Sequence, residues 1–203
     1  MRLLRLFLAA GLLACLTPRT ASAQQGVHTH DGFFLRMATG VGYHYARFNG
    51  LGGGDLSLKG FAFPTSLAIG WSVVEDLALQ LEVFDSTGFQ LSASYPERAL
   101  GEDRNDAGST GLGVGVTYYF GPNLYVSGSL GAALGNYLEG DQAEFSELGL
   151  GVGLAGGKEW WVSDNWGLGG ALQLMLNATP TSLQGNPTLL SLGTGLMISA
   201  TYN

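Results

Sequence analysis

From about Phe33 to Tyr202, large apolar side chains recur at every second position, and their neighbours are mostly Gly, Ala or Ser. β-Strand side chains alternate between two faces, so this period sorts one kind of residue onto each face. In Gly111-Leu112-Gly113-Val114-Gly115-Val116 the two faces are almost pure. A soluble strand sets polar or charged residues against its apolar ones. Here the second face offers water almost nothing. The bulky face must therefore meet hydrocarbon, and the small-residue face a narrow interior. The pattern predicts an all-β fold, an eight-stranded antiparallel up-and-down transmembrane β-barrel.

Composition agrees. Charged residues make up 12% of the 203 residues, about half the usual share of roughly 25%. Glycine supplies 33 residues, about twice the usual share of roughly 7%. By parity nearly all strand glycines face inward, the exceptions being Gly128, Gly156 and Gly170. Glycine weakens an ordinary strand, but a barrel of eight strands leaves so little interior that small inward residues relieve crowding.

Residues 1–23 have the order of a cleaved secretory signal. Arg2 and Arg5 are followed by the apolar run Leu6–Leu16, the helix breaker Pro18 and an Ala21-Ser22-Ala23 cleavage site. Leu12-Leu13-Ala14-Cys15 also resembles a lipobox, which leaves lipidation of Cys15 as the alternative. The expected division is therefore a signal peptide over 1–23, a short periplasmic tail over 24–32 and the barrel over 33–203. Removing the signal removes three arginines and no acids, taking the formal charge from -7 to -10. An acidic chain argues against nucleic acid as a partner.

Strands are expected at 33–47, 59–73, 77–89, 110–120, 124–136, 146–161, 166–177 and 189–202. Tight turns at Val74-Glu75-Asp76, Gly121-Pro122-Asn123 and Ser163-Asp164-Asn165 alternate with longer stretches near 48–58, 90–109, 137–145 and 178–188. Outer-membrane barrels have short periplasmic turns and long extracellular loops. Aromatic residues sort by strand end. Phe33, Trp71, Tyr118, Phe120, Trp160, Trp166 and Tyr202 fall near the periplasmic ends, and Tyr43, Tyr45, Phe61 and Phe63 near the others. The spacing from Phe33 to Tyr43, and from Phe61 to Trp71, spans about 25 Å along the membrane normal at the rise and tilt of such strands. Pro64 interrupts the second strand, and a missing hydrogen bond without a register shift is expected there.

These segments, Gly115-Val116-Thr117-Tyr118-Tyr119-Phe120-Gly121-Pro122 and Lys158-Glu159-Trp160-Trp161-Val162-Ser163-Asp164-Asn165-Trp166-Gly167 among them, make the chain similar to the small outer-membrane barrels of Gram-negative bacteria of the OmpA, OmpX and OmpW type. The resemblance implies residence in the bacterial outer membrane. It also implies contact with outer-membrane lipids and lipopolysaccharide, and delivery by a barrel-insertion machinery that reads a terminal aromatic residue. Here Tyr202 is penultimate and Asn203 last.

Candidate chemistry is sparse. Gly151-Val152-Gly153-Leu154-Ala155-Gly156 fits G-x-G-x-x-G, but a dinucleotide site needs a helix after it, and Trp160-Trp161 and a turn follow instead. His28-Thr29-His30-Asp31 could hold a metal loosely, and a solvated tail is the plainer reading. His44 points inward near the outer rim and reads as structural. Parity places Arg36, Gln80, Glu82, Glu147, Glu159 and Gln173 in the lumen. Charges in a narrow interior should pair, so Arg36 is expected to close the barrel to ions with Glu82 or Glu159, a hydrated unpaired arrangement being the alternative. Snorkelling is expected for Lys158, near an interface. The loop acids Asp55, Glu97, Glu102, Asp103, Asp106, Glu139, Asp141 and Glu144, with Arg98 and Arg104 among them, read as solvated, or as a cation bridge to lipopolysaccharide.

No catalytic set, no cofactor and no resident metal is expected. The leading functional reading is a non-enzymatic outer-membrane barrel with a structural or surface-interaction role through its loops. The alternative is a narrow channel for small solutes, hydrophobic ones included. A lipocalin-like soluble binder would have to expose a Gly/Ala/Ser surface with few charges, contrary to soluble composition.

Overall fold

The computed structural model describes residues 30–49, 54–94, 105–139, 142–183 and 185–203. The expected signal segment over 1–23, with Cys15, lies outside them. The strands are β1 (Gly32–Asn49), β2 (Leu56–Val74), β3 (Leu77–Ser94), β4 (Asn105–Phe120), β5 (Leu124–Glu139), β6 (Gln142–Phe145), β7 (Gly149–Trp161), β8 (Trp166–Pro180) and β9 (Thr188–Tyr202).

Eight of them close an antiparallel ring in the order β1-β2-β3-β4-β5-β7-β8-β9, with β9 pairing back onto β1. Closure leaves the ring without an edge, the condition for backbone surrounded by lipid. Leu67, Ile69, Leu81, Val114, Leu130, Leu172 and Ile198 are all exposed on the outer wall, while the buried positions are mostly small, polar or aromatic, with Leu58, Leu91, Leu189, Met175 and Met197 as the large aliphatic exceptions. That polarity is the reverse of a soluble barrel and is that of a membrane-spanning one. Among the described residues no helix is long and apolar enough to cross a membrane, which says nothing of strands.

Except for β7, which begins at Gly149 and not at 146, the strands run past the expected bounds at the long-loop end. Residues 137–145, expected as a loop, contain β6. It pairs only with Asn136–Glu139 of β5, above the point where β7 takes over that edge at Ala133. A short hairpin therefore covers the top of β5 without widening the ring.

Two local irregularities shape the interior. At Pro64 the register to β3 runs unbroken from Phe63↔Thr87 to Thr65↔Asp85. Towards β1 the rungs between Thr39↔Thr65 and Gly42↔Ala62 are missing while the register is kept. This is the expected loss of a ladder bond without slippage. The second irregularity was not expected. β3 shifts register by one residue near Gln90 against both neighbours, and Gln90 adopts φ 51°. A bulge flips the faces beyond it. Phe89, ahead of the bulge, keeps its outward parity, and Leu91, beyond it, is turned into the lumen and fully buried.

Candidate functional site

The lumen collects the chain's unusual chemistry. Its short-turn end is filled by Phe34, Tyr119, Tyr125 and Met197 with Ala68, Ala78 and Ala171. Its long-loop end is filled by Phe48, Leu58, Leu91, Tyr137 and Leu189 with Ala46 and Ala107. Parity delivers these residues inward, except for Leu91, which the bulge at Gln90 turns in, so each end of the bore carries an apolar plug.

Between the plugs lies a polar network. Arg36 Nη2 donates to Thr117 Oγ1 at 3.2 Å and to Ser127 Oγ at 2.9 Å. Thr117 Oγ1 donates to Gln80 Oε1 at 2.7 Å. Gln80 Nε2 donates to Ser127 Oγ at 3.1 Å and to Glu82 Oε2 at 2.9 Å. Ser129 Oγ donates to the same carboxylate oxygen. The Arg36 guanidinium also lies 4.4 Å from the centroid of the Tyr125 ring and 5.4 Å from that of Phe34. Glu159 sits apart, accepting from Tyr119 OH at 3.1 Å and Thr201 Oγ1 at 2.6 Å.

The expected direct pair between Arg36 and Glu82 or Glu159 is therefore absent. Arg36 and Glu82 are joined through Thr117, Ser127 and Gln80, and tyrosine rings stand between Arg36 and Glu159. Hydroxyls, an amide and the Tyr125 ring meet each charge locally, although Arg36 Nη1 is left without a partner among the described residues. Arg36, Gln80, Glu82, Glu159 and Gln173 are all buried. Glu147 is not. It lies exposed between β6 and β7, where its carboxylate accepts from Ser182 Oγ at 3.1 Å. The parity count failed there because β7 begins only at Gly149.

Above the network the Phe84 ring fills the middle of the bore. Gly111, Gly151 and Gly153 face it, and a Cβ at Gly111 would fall inside contact distance of the ring. His44 is fully buried beside it in height, its Nδ1 3.0 Å from Ser86 Oγ. Nε2 of His44, Nη1 of Arg36, Oε1 of Gln173 and both amide atoms of Asn177 have no partner among the described residues.

At the short-turn mouth His30 is buried, not solvated. Its ring stacks on Tyr119 at 3.5 Å and 8°, and on Trp161 at 5.2 Å. Its Nε2 lies 3.4 Å from Asn123 Oδ1, and its carbonyl accepts from Asp76 N. Burial holds the His30 imidazole below its ordinary pKa, opposed by Asn123 and the Glu159 and Asp76 charges. The tail reading failed because an apolar mouth lined by Tyr119 and Trp161 lies within reach. His28 lies outside the described residues, among which no group of three or more His, Cys, Asp or Glu could hold a metal ion.

The aromatic residues girdle the short-turn end of the outer wall and form an arc over β1–β3 at the other. Phe33 pairs across strands with Trp71, and Tyr43 with Phe61. Ring contacts run from Trp71 through Phe33 and Tyr202 to Trp166. Tyr118 stacks near Phe120 at 6.3 Å, and Trp160 is exposed under Lys158 Nζ at 5.6 Å. At the other end Phe61, Phe63 and Phe89 touch edge to face. Tyr45 and Tyr202 are half-buried. Phe89 was missed because the expected strand ended at it. Tyr119, Tyr125, Thr117 and Ser127 were missed too, although their parity turns them into the lumen.

Among the loop acids, Asp55 pairs with Arg47, Asp106 accepts from Gln90 N at 2.9 Å, and Glu144 is exposed. Glu97, Arg98, Glu102, Asp103, Arg104 and Asp141 lie outside the described residues, as does the side chain of Glu139. The G-x-G-x-x-G segment lies within β7, and the strand continues through Trp161.

No family model matches the chain, and no curated protein matches it. Several solved structures are similar. Neisserial surface protein A is 18% identical with a TM-score of 0.48, over 82% of this chain and 96% of that one. The outer membrane protein OprG from Pseudomonas aeruginosa is 11% identical with a TM-score of 0.47, over 87% and 98%. Ail, the attachment invasion locus protein of Yersinia pestis, is 14% identical with a TM-score of 0.40, over 83% and 99%.

Proposed function

We propose that this chain is a bacterial outer-membrane β-barrel with a closed bore, acting through its extracellular loops and outer wall and not by catalysis. The observation that carries this is the filling of the lumen. Apolar plugs stand at both ends, with the Phe84 ring and the Arg36–Gln80–Glu82 network between them. Eight strands leave an interior just wide enough for side chains, and here side chains occupy it. In this reading the segment 1–23 directs secretion. The long-loop end faces outward, and lipopolysaccharide, outer-membrane lipids and the insertion machinery are the partners.

Catalysis is disfavoured by geometry. His44 and Ser86 are within hydrogen-bond distance, but both are buried inside the wall. A substrate would have to displace the core to reach them. Single-channel recording on the full chain, purified from outer membranes and placed in planar bilayers, tests the closed bore. Silence is expected, and discrete conductance steps would refute it.

The second reading, a thin conduit, is favoured by one observation. The unpartnered polar atoms of Arg36, His44, Gln173 and Asn177 would accept a water file. The same recording decides it.

A further inference from the structure

Among the described residues the outer wall is mostly apolar, with Thr87 on β3 and Thr194 on β9 as scattered exceptions, but one row is polar across four adjacent strands. Thr39, Thr65, Asp85 and Thr110 are consecutive cross-strand partners over β1, β2, β3 and β4. All four have outward parity; the threonines are exposed and Asp85 is half-buried. Thr110 Oγ1 donates to Asp85 Oδ1 at 2.7 Å, and Thr87 Oγ1 donates to Asp85 Oδ2 at 3.0 Å.

The row is not a solvated rim. On its short-turn side stand the exposed residues Met37, Leu67, Val83 and Leu112. On its long-loop side stand Val41 and Phe63 and, beyond Thr87, Phe89, all three exposed. A carboxylate and three hydroxyls thus break the apolar band from within. Polar groups at that depth are costly when they face acyl chains and mark sites that a partner covers.

We propose that this row is the contact face for a second copy of the chain. It carries an acceptor, the Asp85 carboxylate, and donors, the hydroxyls of Thr39 and Thr65. A set holding both is self-complementary, which a two-fold interface requires. An axis along the membrane normal through Thr65 sets β3 of each copy against β1 of the other. Each carboxylate then meets the other copy's threonines, and buried hydroxyl–carboxylate contacts join the barrels in lipid as polar side chains join membrane helices. The Phe61, Phe63 and Phe89 cluster packs beside the contact.

This inference rests on the membrane reading above, and the test separates the two. The full chain is refolded into lipid vesicles, and insertion is scored first by protease protection and heat-shifted gel mobility. A chain that does not insert refutes both. In inserted protein, Thr65→Cys is oxidised in parallel with Leu154→Cys on β7, across the ring. Cross-linked dimer at position 65 well above that at 154 is expected. Energy transfer between labelled copies should report dimers in lipid. Asp85→Leu, inserted and heat-modifiable, should weaken that association about tenfold, the effect of losing a pair of membrane hydrogen bonds. Equal cross-linking at both positions, monomers throughout (the row then being covered by lipid), or a dimer indifferent to Asp85→Leu would each overturn the proposal.

Discussion

The Arg36 guanidinium rests 4.4 Å from the centroid of the Tyr125 ring while its Nη2 donates to Ser127. The one buried cation of the described lumen is thus held by a π-face and hydroxyls, not by a carboxylate. A desolvated cation over an aromatic face gains about 2 kcal/mol, and hydrogen bonds to a charged group add roughly 1.5–3 kcal/mol each.

Arg36→Ala should therefore lower stability by about 3 kcal/mol, since Glu82 and Glu159 remain buried without the compensating charge. Arg36→Lys keeps the charge but loses the planar fork, so its loss should be smaller. Urea unfolding in lipid vesicles measures both. Equal midpoints for Arg36→Lys and Arg36→Ala would contradict the assignment.

Phe84 is the central stopper, seated against Gly111, Gly151 and Gly153. Phe84→Ala should cost about 3–5 kcal/mol through the cavity it leaves, and, if the bore is closed as proposed, should let ions through it. Gly111→Ala should cost about 1–3 kcal/mol by overpacking, and combining it with Phe84→Leu should recover part of that loss. Purely additive losses in the double variant would count against direct packing.

His30 gives a pH dependence. Its folded pKa lies below the unfolded value of about 6.5 because Tyr119 and Trp161 bury the ring. The unfolded chain then binds the proton more readily. The contribution of His30 is complete above about pH 6.5 and is eroded as pH falls towards the folded pKa. The unfolding midpoint of the natural chain, minus that of His30→Phe, should shrink from pH 8 to pH 5. A difference flat across that range would refute it.

Gln90 occupies left-handed backbone with φ 51°. Gln90→Gly should raise stability by about 1 kcal/mol, because glycine carries no Cβ penalty there. Gln90→Val should lower it, as a β-branched residue fits that region worst. The two midpoints moving in the same direction would show that the bulge does not need this conformation.

Much of this architecture was written in a period of two. Leu112, Val114 and Val116 could only face lipid, because their partners Gly111, Gly113 and Gly115 present nothing to water. Alternating turn lengths and the opposed aromatic ends followed from the same arithmetic, as did the inward faces of Arg36, Glu82 and Glu159. The count failed where the backbone left the regular pleat. Leu91 turned inward only because Gln90 inserts a bulge, Glu147 fell outside β7, and His30 folded back onto Tyr119.

Which faces meet lipid was a local matter, set by side-chain alternation along each strand. Which inward residues touch was not, because contacts across the bore join strands far apart in the chain. The order of strands places Arg36 of β1 against Ser127 of β5, 91 residues away. It likewise aligns Asp85 with Thr65 and Thr110. Such partners depend on closure, register and bulges, and these are decided only when every strand has found its neighbours.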